Sequence, residues 1–438
     1  MNGKKHFQVI IPEWIIQIDD ESTVLTQHAV ILEKNSIQRI IPLSELNREQ
    51  YETIIELPGQ ALMPGFINTH THAAMTLMRG VADDLTLMDW LNNHIWPIES
   101  QHMNQQFVQD GTELAIAEMI RNGTTCLNDM YFYPDITAKT AQAMGFRASI
   151  GLIVLDFPTV WAQNADEYLH KGLETNDFFK ELSLIKGAFA PHAPYTVADA
   201  PLEKIGMYSS ELDLRVHMHI HETQFEVTEA LKNTGMRPLE RLDQLGLVND
   251  NLIAVHMTDL LPNEIERLTE TASHIVHCPE SNLKLASGFC PVTDCHNAGI
   301  NISFGTDGAA SNNDLDLLTE ARTGALLAKG LSGDASAINA QTILKMLTIN
   351  GAKTLGLENE IGSIEAGKKA DLIAIDLSDI NTTPVYDPVA QIAYAANSRQ
   401  VSHVWIDGQL KLKNHQLVDV DMESIINKAY DWRSKIQS

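Results

Sequence analysis

Between residues 66 and 307 the chain repeats one pattern: a short apolar run, then a longer stretch with helical spacing. The runs are FINTH, TTCLND, RASIGLIVL, IKGAFAPH, LRVHMHIHE, NLIAVH, HIVHCP and INISFGTD. They are rich in β-branched residues and too short for helices, so they read as eight strands. The stretch FVQDGTELAIAEMIRNG shows what lies between them. Its apolar residues recur at helical spacing and Asn122-Gly123 supplies a stop, which predicts a helix over about 104–122. Strands alternating with helices build a parallel sheet, and eight such units in about 250 residues predict a (β/α)₈ barrel.

The two ends of the chain follow another pattern. FQVIIP, AVILEKNSIQRIIP and ETIIELPGQALMPG at one end, and IGSIEAGKKADLIAIDL and HVWIDGQLKLKNHQLV at the other, are β-rich runs broken by Asn, Pro and Gly. No internal repeat stands out. The segment 73–105 after the first barrel strand reads as an active-site loop region, and 315–357 as barrel exterior. Barrel active sites sit at the C-terminal ends of the strands. His70, His72, Asp129, His192, His219, His256, His277 and Asp307 all fall at those ends.

Composition narrows the partners. The 438 residues carry a formal net charge of −26, with 44% hydrophobic and 20% charged residues. This is a globular composition, and its acidity disfavours nucleic acid and anionic membrane as partners. Cys126, Cys278, Cys290 and Cys295 form no CxxC pair, which points to a reducing compartment. MNGKKHFQVIIPEWIIQID lacks a continuous apolar core and makes a poor signal peptide. With no apolar window near ~20 residues, the expected location is the cytoplasm.

Thirteen of the 17 histidines lie between His70 and His296. In PGFINTHTH (64–72), alternate residues on an extended segment face one side, so His70 and His72 can converge on a metal. Two polar loop histidines would look the same. In VHMHIHET (216–223), His217, His219 and His221 alternate likewise, although a polar barrel interior also explains them. GTDGAASNNDLD (305–316) puts Asp307 after an apolar run, among small residues that leave room for a ligand. Together His70, His72, His219 and Asp307 form a set of three nitrogens and a carboxylate on the first, fifth and eighth strands. Such a set holds one divalent ion with a water, Zn2+ by preference, with Fe2+ or Mn2+ open to the same donors.

These strings resemble the amidohydrolase superfamily, and within it the branch of 5′-methylthioadenosine and S-adenosylhomocysteine deaminases. The resemblance also covers ADDLTLMDWLNNHIWPIES (82–100), APHAPYT (190–196), AVHMTDL (254–260), HCPESNLKLASGFCPV (277–292) and GSIEAGKKADLIAID. It implies an α/β fold: a (β/α)₈ barrel over 64–361 and a small β-sandwich built from 1–63 and 362–438. It also implies roles. His70, His72, His219 and Asp307 match metal ligands, and Glu222 matches the acid/base. His256 matches a residue assisting at the water, beside a catalytic Asp307. His192 matches a purine contact, Glu99 a carboxylate for the ribose hydroxyls, and Ser311 a residue near the substrate. Binuclear members carry a lysine at the end of strand four. Here that strand ends Phe189-Ala190-Pro191-His192, with Lys186 at its start, so a single metal is expected.

The expected reaction is hydrolytic deamination of an adenine nucleoside. A substrate carboxylate calls for arginine, yet GLIVLDFPTVWAQNADEY (151–168) has no Lys or Arg, and Arg147 lies at the strand's beginning. Leu155, Phe157, Pro158 and Trp161 suit an apolar 5′ group. Hence 5′-methylthioadenosine or 5′-deoxyadenosine is expected over S-adenosylhomocysteine, with adenosine and S-adenosylhomocysteine as further substrates. A hydrolase of another ring (guanine, cytosine or chlorinated triazine) and a non-catalytic barrel scaffold are the competing readings. A homodimer stays open. His277 and Glu280 read as loop-orienting residues, His217 and His221 as supports behind the ligands, Trp90 and Trp96 as core, with purine-pocket lining the alternative, and Cys126 as a small buried hydrophobe.

Overall fold

A computed structural model describes residues 5–19 and 21–438. All eight expected barrel strands form. They are β1 Phe66–Thr71, β2 Thr124–Met130, β3 Arg147–Val154 and β4 Ile185–Pro191. β5 Val216–Ile220, β6 Leu252–His256, β7 His274–His277 and β8 Asn301–Phe304 follow. They pair in parallel in sequence order. Every residue of β2, β3, β5, β6 and β7 is buried, as expected of strands covered on both faces.

β8 and β1 close the ring largely through side chains. Asn68 Nδ2 donates to Thr306 Oγ1 at 2.8 Å, and the Thr306 N–H donates back to Asn68 Oδ1 at 3.1 Å. Thr69 Oγ1 donates to the Phe304 carbonyl at 2.8 Å, and the Asp307 N–H to the His70 carbonyl at 3.1 Å. The N-terminal end of the barrel is filled by Ile67, Cys126, Ile253, Val255 and Val276, with Ala352 and Leu355 against them. Gly65 leads into β1, and a Cβ there would stand 2.1 Å from Thr125 Oγ1, so only glycine fits. The helix Gln105–Arg121 forms where expected, with Asn104 accepting the Phe107 N–H at its start.

The chain ends share one curled sheet. Lys5–Ile16 pairs in parallel with Tyr51–Pro64, which pairs antiparallel with Leu372–Asp376. The sheet extends through Val401–Ile406 and Gln409–Lys413 on one side, and through His28–Glu33 and Ser36–Pro42 on the other. It curls far enough for Ser36 to bridge Lys369, enclosing Ile10, Val30, Ile37, Leu62, Leu372 and Trp405 as a small sandwich core. Arg147 at the start of β3 ties it to the barrel. Its Nε and Nη2 donate to the two Asp371 oxygens at 2.6 and 3.1 Å, and Asp371 Oδ1 also accepts the Asp407 N–H at 2.7 Å.

Two segments depart from expectation. The 73–105 loop region is mostly helical: Leu87–Trp90 and Trp96–His102 flank a π-turn at Leu91–Ile95. Its apolar residues Leu87, Trp90, Leu91 and Ile95 pack with Phe107 and Trp432, the latter from the C-terminal helix Met422–Ile436. Within 315–357, Ile349–Thr354 is not barrel exterior but packs under the barrel, where a Cβ on Gly351 would meet Ile67 Cβ at 2.9 Å. Among the described residues no helix is long and apolar enough to cross a membrane.

Candidate metal centre and active site

β1 delivers His70, the residue just after it is His72, β5 delivers His219, and the turn after β8 delivers Asp307. Their ligand atoms lie within 4.8 Å of one another. His70 Nε2 and His72 Nε2 each stand 3.2 Å from Asp307 Oδ1, and His219 Nε2 stands 3.2 Å from His70 Nε2. The opposite ring nitrogens are anchored. His72 Nδ1 donates to the Met130 carbonyl at 2.6 Å, His219 Nδ1 to the His192 carbonyl at 2.7 Å, and His70 Nδ1 faces His217 Nε2 at 2.8 Å. Anchoring Nδ1 as a donor leaves Nε2 with a lone pair for a cation. Three imidazoles and a carboxylate converging in this way fit a divalent ion.

Asp307 is held by its far oxygen. Ser281 Oγ and Ser311 Oγ donate to Oδ2 at 2.7 and 3.0 Å, and the Gly308 N–H donates to Oδ1 at 2.8 Å. Asp307 adopts φ of +62° and His256 of +76°, uncommon backbone that surrounding contacts must hold. Asp129 stands at the end of β2 but outside the ligand set. Its Oδ1 accepts from Thr71 Oγ1 at 3.0 Å and the Ala73 N–H at 2.7 Å, fixing the turn after β1.

His256 Nδ1 donates to Asn282 Oδ1 at 2.8 Å, which leaves Nε2 buried, unpartnered and 3.9 Å from Glu222 Oε1. Burial and the charge of Asp307 push the Glu222 carboxyl up to about 8. That value suits a group that both takes and gives a proton near neutrality. Burial, then His72, lowers His192 to about 3, so its ring is neutral. Burial raises Glu99 to about 7 against the pull of a 2.7 Å hydrogen bond from the Tyr131 hydroxyl.

His72, His219, Asp307, Glu222, His256, His192 and Glu99 border one cavity of about 510 Å³. His192, Glu222, His256, Asp307 and Ser311 line its floor, and Glu99 its side. Trp90 and Trp96 do both: Trp90 is buried in the cluster with Phe107 and Trp432, Trp96 packs against it, and both line the cavity wall, as do Leu155, Phe157 and Pro158. No Lys or Arg is among the lining residues. Trp161 is buried against Tyr168 rather than exposed to the cavity. Glu280 accepts from Thr323 Oγ1 at 2.8 Å, and the His277 ring packs 6.0 Å from Phe304. Lys186 pairs with Glu360 at 2.9 Å. Cys126 is fully buried, and that burial raises its thiol to about 12.

Sequence reasoning passed over Tyr131, Ser281, Asn282, Glu226 and Thr258. Ser281 and Asn282 lie inside a quoted string, HCPESN, and their polar side chains just past a strand end were a usable signal. Tyr131 directly follows β2 and offered the same signal.

A parallel barrel with this donor set at its strand ends defines a metal-dependent enzyme of the (β/α)₈ class. Residues 61–411 match the model of the amidohydrolase family, and the chain belongs to that family. It is 46% identical over 424 residues to a 5-methylthioadenosine/S-adenosylhomocysteine deaminase of Teredinibacter turnerae, covering 97% of this chain and 96% of that one. It is 39% identical over 392 residues to a 5′-deoxyadenosine deaminase of Methanobrevibacter smithii, covering 88% and 89%. A zinc-bound adenosine deaminase from Xanthomonas campestris superposes with a TM-score of 0.97 at 47% identity, covering 99% of both chains.

Proposed function

We propose that the protein hydrolytically deaminates adenine nucleosides with an uncharged 5′ group. The preferred substrates are 5′-methylthioadenosine, which gives 5′-methylthioinosine and ammonia, and 5′-deoxyadenosine. The observation that carries this reading is the makeup of the 510 Å³ cavity, in which Glu99 and His192 share an otherwise apolar lining without Lys or Arg. A carboxylate with two acceptor oxygens suits a vicinal diol, which guanine, cytosine and triazines lack. The homocysteine carboxylate of S-adenosylhomocysteine would find no cationic partner there. The relatives are named for adenine nucleosides: the Methanobrevibacter smithii protein for one with an uncharged 5′ group, the Teredinibacter turnerae protein for 5-methylthioadenosine and for S-adenosylhomocysteine as well.

The barrel carries the chemistry in this reading, with residues 64–361 as the catalytic unit and 1–63 and 362–438 as the small domain. One divalent ion, Zn2+ by preference, would be held by His70, His72, His219 and Asp307. It would supply Lewis-acid chemistry that makes water a nucleophile near neutral pH. The Glu222 carboxyl moves a proton to the ring nitrogen beside the amine-bearing carbon. Asp307 and His256 Nε2 are the acceptors next to it, able to hold a proton until ammonia leaves. His192, neutral, contacts the purine, and Glu99 holds the ribose hydroxyls. Ser311 acts at the edge of the site by orienting Asp307. The apolar wall keeps water from the ring.

A nucleoside panel followed by ammonia release tests this reading. The kcat/KM for 5′-methylthioadenosine and 5′-deoxyadenosine is expected to exceed that for S-adenosylhomocysteine by about tenfold or more, the scale of one unpaired charge-assisted hydrogen bond. A preference for S-adenosylhomocysteine would refute the 5′ assignment, and turnover of guanine or triazines alone would refute the nucleoside reading.

A further inference from the structure

The peptide that carries Glu222 is gripped on both edges. His221, just before it, has φ of +51°, a left-handed conformation that a residue with a side chain holds only when its surroundings enforce it. On the N–H edge, the buried Glu226 carboxylate accepts from the Glu222 N–H at 2.8 Å through Oε2 and from the His221 N–H at 3.2 Å through Oε1. On the carbonyl edge, Thr258 Oγ1 lies 3.0 Å from the His221 oxygen and 2.9 Å from the Glu222 oxygen. The Thr258 N–H adds a 2.9 Å bond to the His221 oxygen. The His221 ring is fixed too, its Nε2 accepting the Leu239 N–H at 3.2 Å.

Glu226 is the third residue of the helix Gln224–Thr234, whose cap Thr223 accepts the Glu226 N–H at 3.1 Å. In sequence, Thr223-x-x-Glu226 reads as a capping box, in which the glutamate turns back to the N–H of the cap residue itself. Here it reaches one and two residues further, to Glu222 and His221. Its hydrogen bonds serve the turn before the helix. Thr258, from the turn after β6, has room beside the turn because residue 288 is glycine: a Cβ there would stand 2.9 Å from Thr258 Oγ1.

We propose that Glu226 and Thr258 are positioning residues that aim the Glu222 carboxyl into the cavity, and that they govern turnover rather than substrate or metal affinity. This rests on the proton-transfer role proposed for Glu222. Losing either side of the grip lets the 221–222 turn relax. A misplacement of about 1 Å at a proton-transferring group lowers the rate by up to about 100-fold.

Glu226→Gln and Thr258→Val test the proposal, with Thr223→Ala as the control that removes the helix cap alone. Kinetics on 5′-methylthioadenosine, metal content and peptide-resolved amide exchange are measured for each. For both test variants kcat is expected to fall about 10–100-fold, with KM within threefold of wild type and metal content unchanged. Amide exchange across 221–222 is expected to speed up. Thr223→Ala is expected to raise exchange in the first turn of the helix and leave kcat within twofold. The proposal is overturned if both test variants keep kcat within twofold, if added metal restores it in full, or if exchange at 221–222 does not change. Should Glu226→Gln fail to fold, Thr258→Val decides. If wild type turns over no nucleoside, the proposed function falls, while amide exchange still reports whether the two residues order the turn.

Discussion

The two ends of the barrel bury charge in opposite ways. At the N-terminal end, Arg147 meets Asp371 through two hydrogen bonds, and Asp371 also accepts the Asp407 N–H. Donors and acceptors there are matched within the protein. At the C-terminal end, lone pairs face one another: three Nε2 atoms and Asp307 Oδ1 converge, and His256 Nε2 has no hydrogen-bond partner among the described residues. Burying such groups unmatched costs free energy, so the matched cluster is architecture and the donor set at the other end fits a cation. Burial alone would not separate them, since Arg147 and Asp371 are as buried as His70, His219 and Asp307.

Breaking the unmatched end should change rate and leave stability nearly intact. Glu222→Gln, which keeps shape and removes the proton, is expected to lower kcat by about 10²–10⁴-fold. Its thermal midpoint should stay close to that of wild type; ammonia release and calorimetry check both halves. The matched end should respond in reverse. Arg147→Met strands the buried Asp371 carboxylate and is expected to cost about 3–5 kcal/mol in urea unfolding. Turnover per folded molecule should be unchanged, and a large loss of kcat in a fully folded sample would erase the contrast.

The smallest effect lies between these extremes, at Glu99. Burial pushes its carboxyl up to about 7, so it carries a proton below that pH and is ionised above it. If the ionised form holds the ribose hydroxyls, kcat/KM falls as pH drops through about 7. Glu99→Gln should flatten that limb. Tyr131→Phe removes a hydrogen bond that favours the ionised carboxylate and should move the limb upward. A pH profile of kcat/KM for the three proteins decides the point, and an unchanged limb in Glu99→Gln would assign it elsewhere.

Much of this was legible in the chain because it is periodic or local. Each barrel strand announced itself as an apolar run, and the rule that such runs end at the site put His70, His72, His219 and Asp307 among its candidates, together with Asp129, His192, His256 and His277. What escaped was contact between distant segments. Nothing near Arg147 points to Asp371, 224 residues away. The helical nature of 73–105 was hidden because its apolar residues satisfy a cluster completed by Trp432, far along the chain. Glu226 could be read as a helix cap from its spacing, but not as a clasp on Glu222, since one turn of backbone decides which N–H it meets. Ser311 could be placed near the site, but its bond to Asp307 Oδ2 depends on the conformation after β8.

The seam between β8 and β1 bears on how the molecule is assembled. Its hydrogen-bonded pairs are up to 238 residues apart in sequence, and His70 and Asp307 lie on either side of it. A chain emerging from the ribosome exposes His70 and His72 long before Asp307 exists. The donor set proposed for the ion is therefore complete only once β8 closes against β1. A cation captured before that would meet imidazoles alone, with the carboxylate of Asp307 still to come.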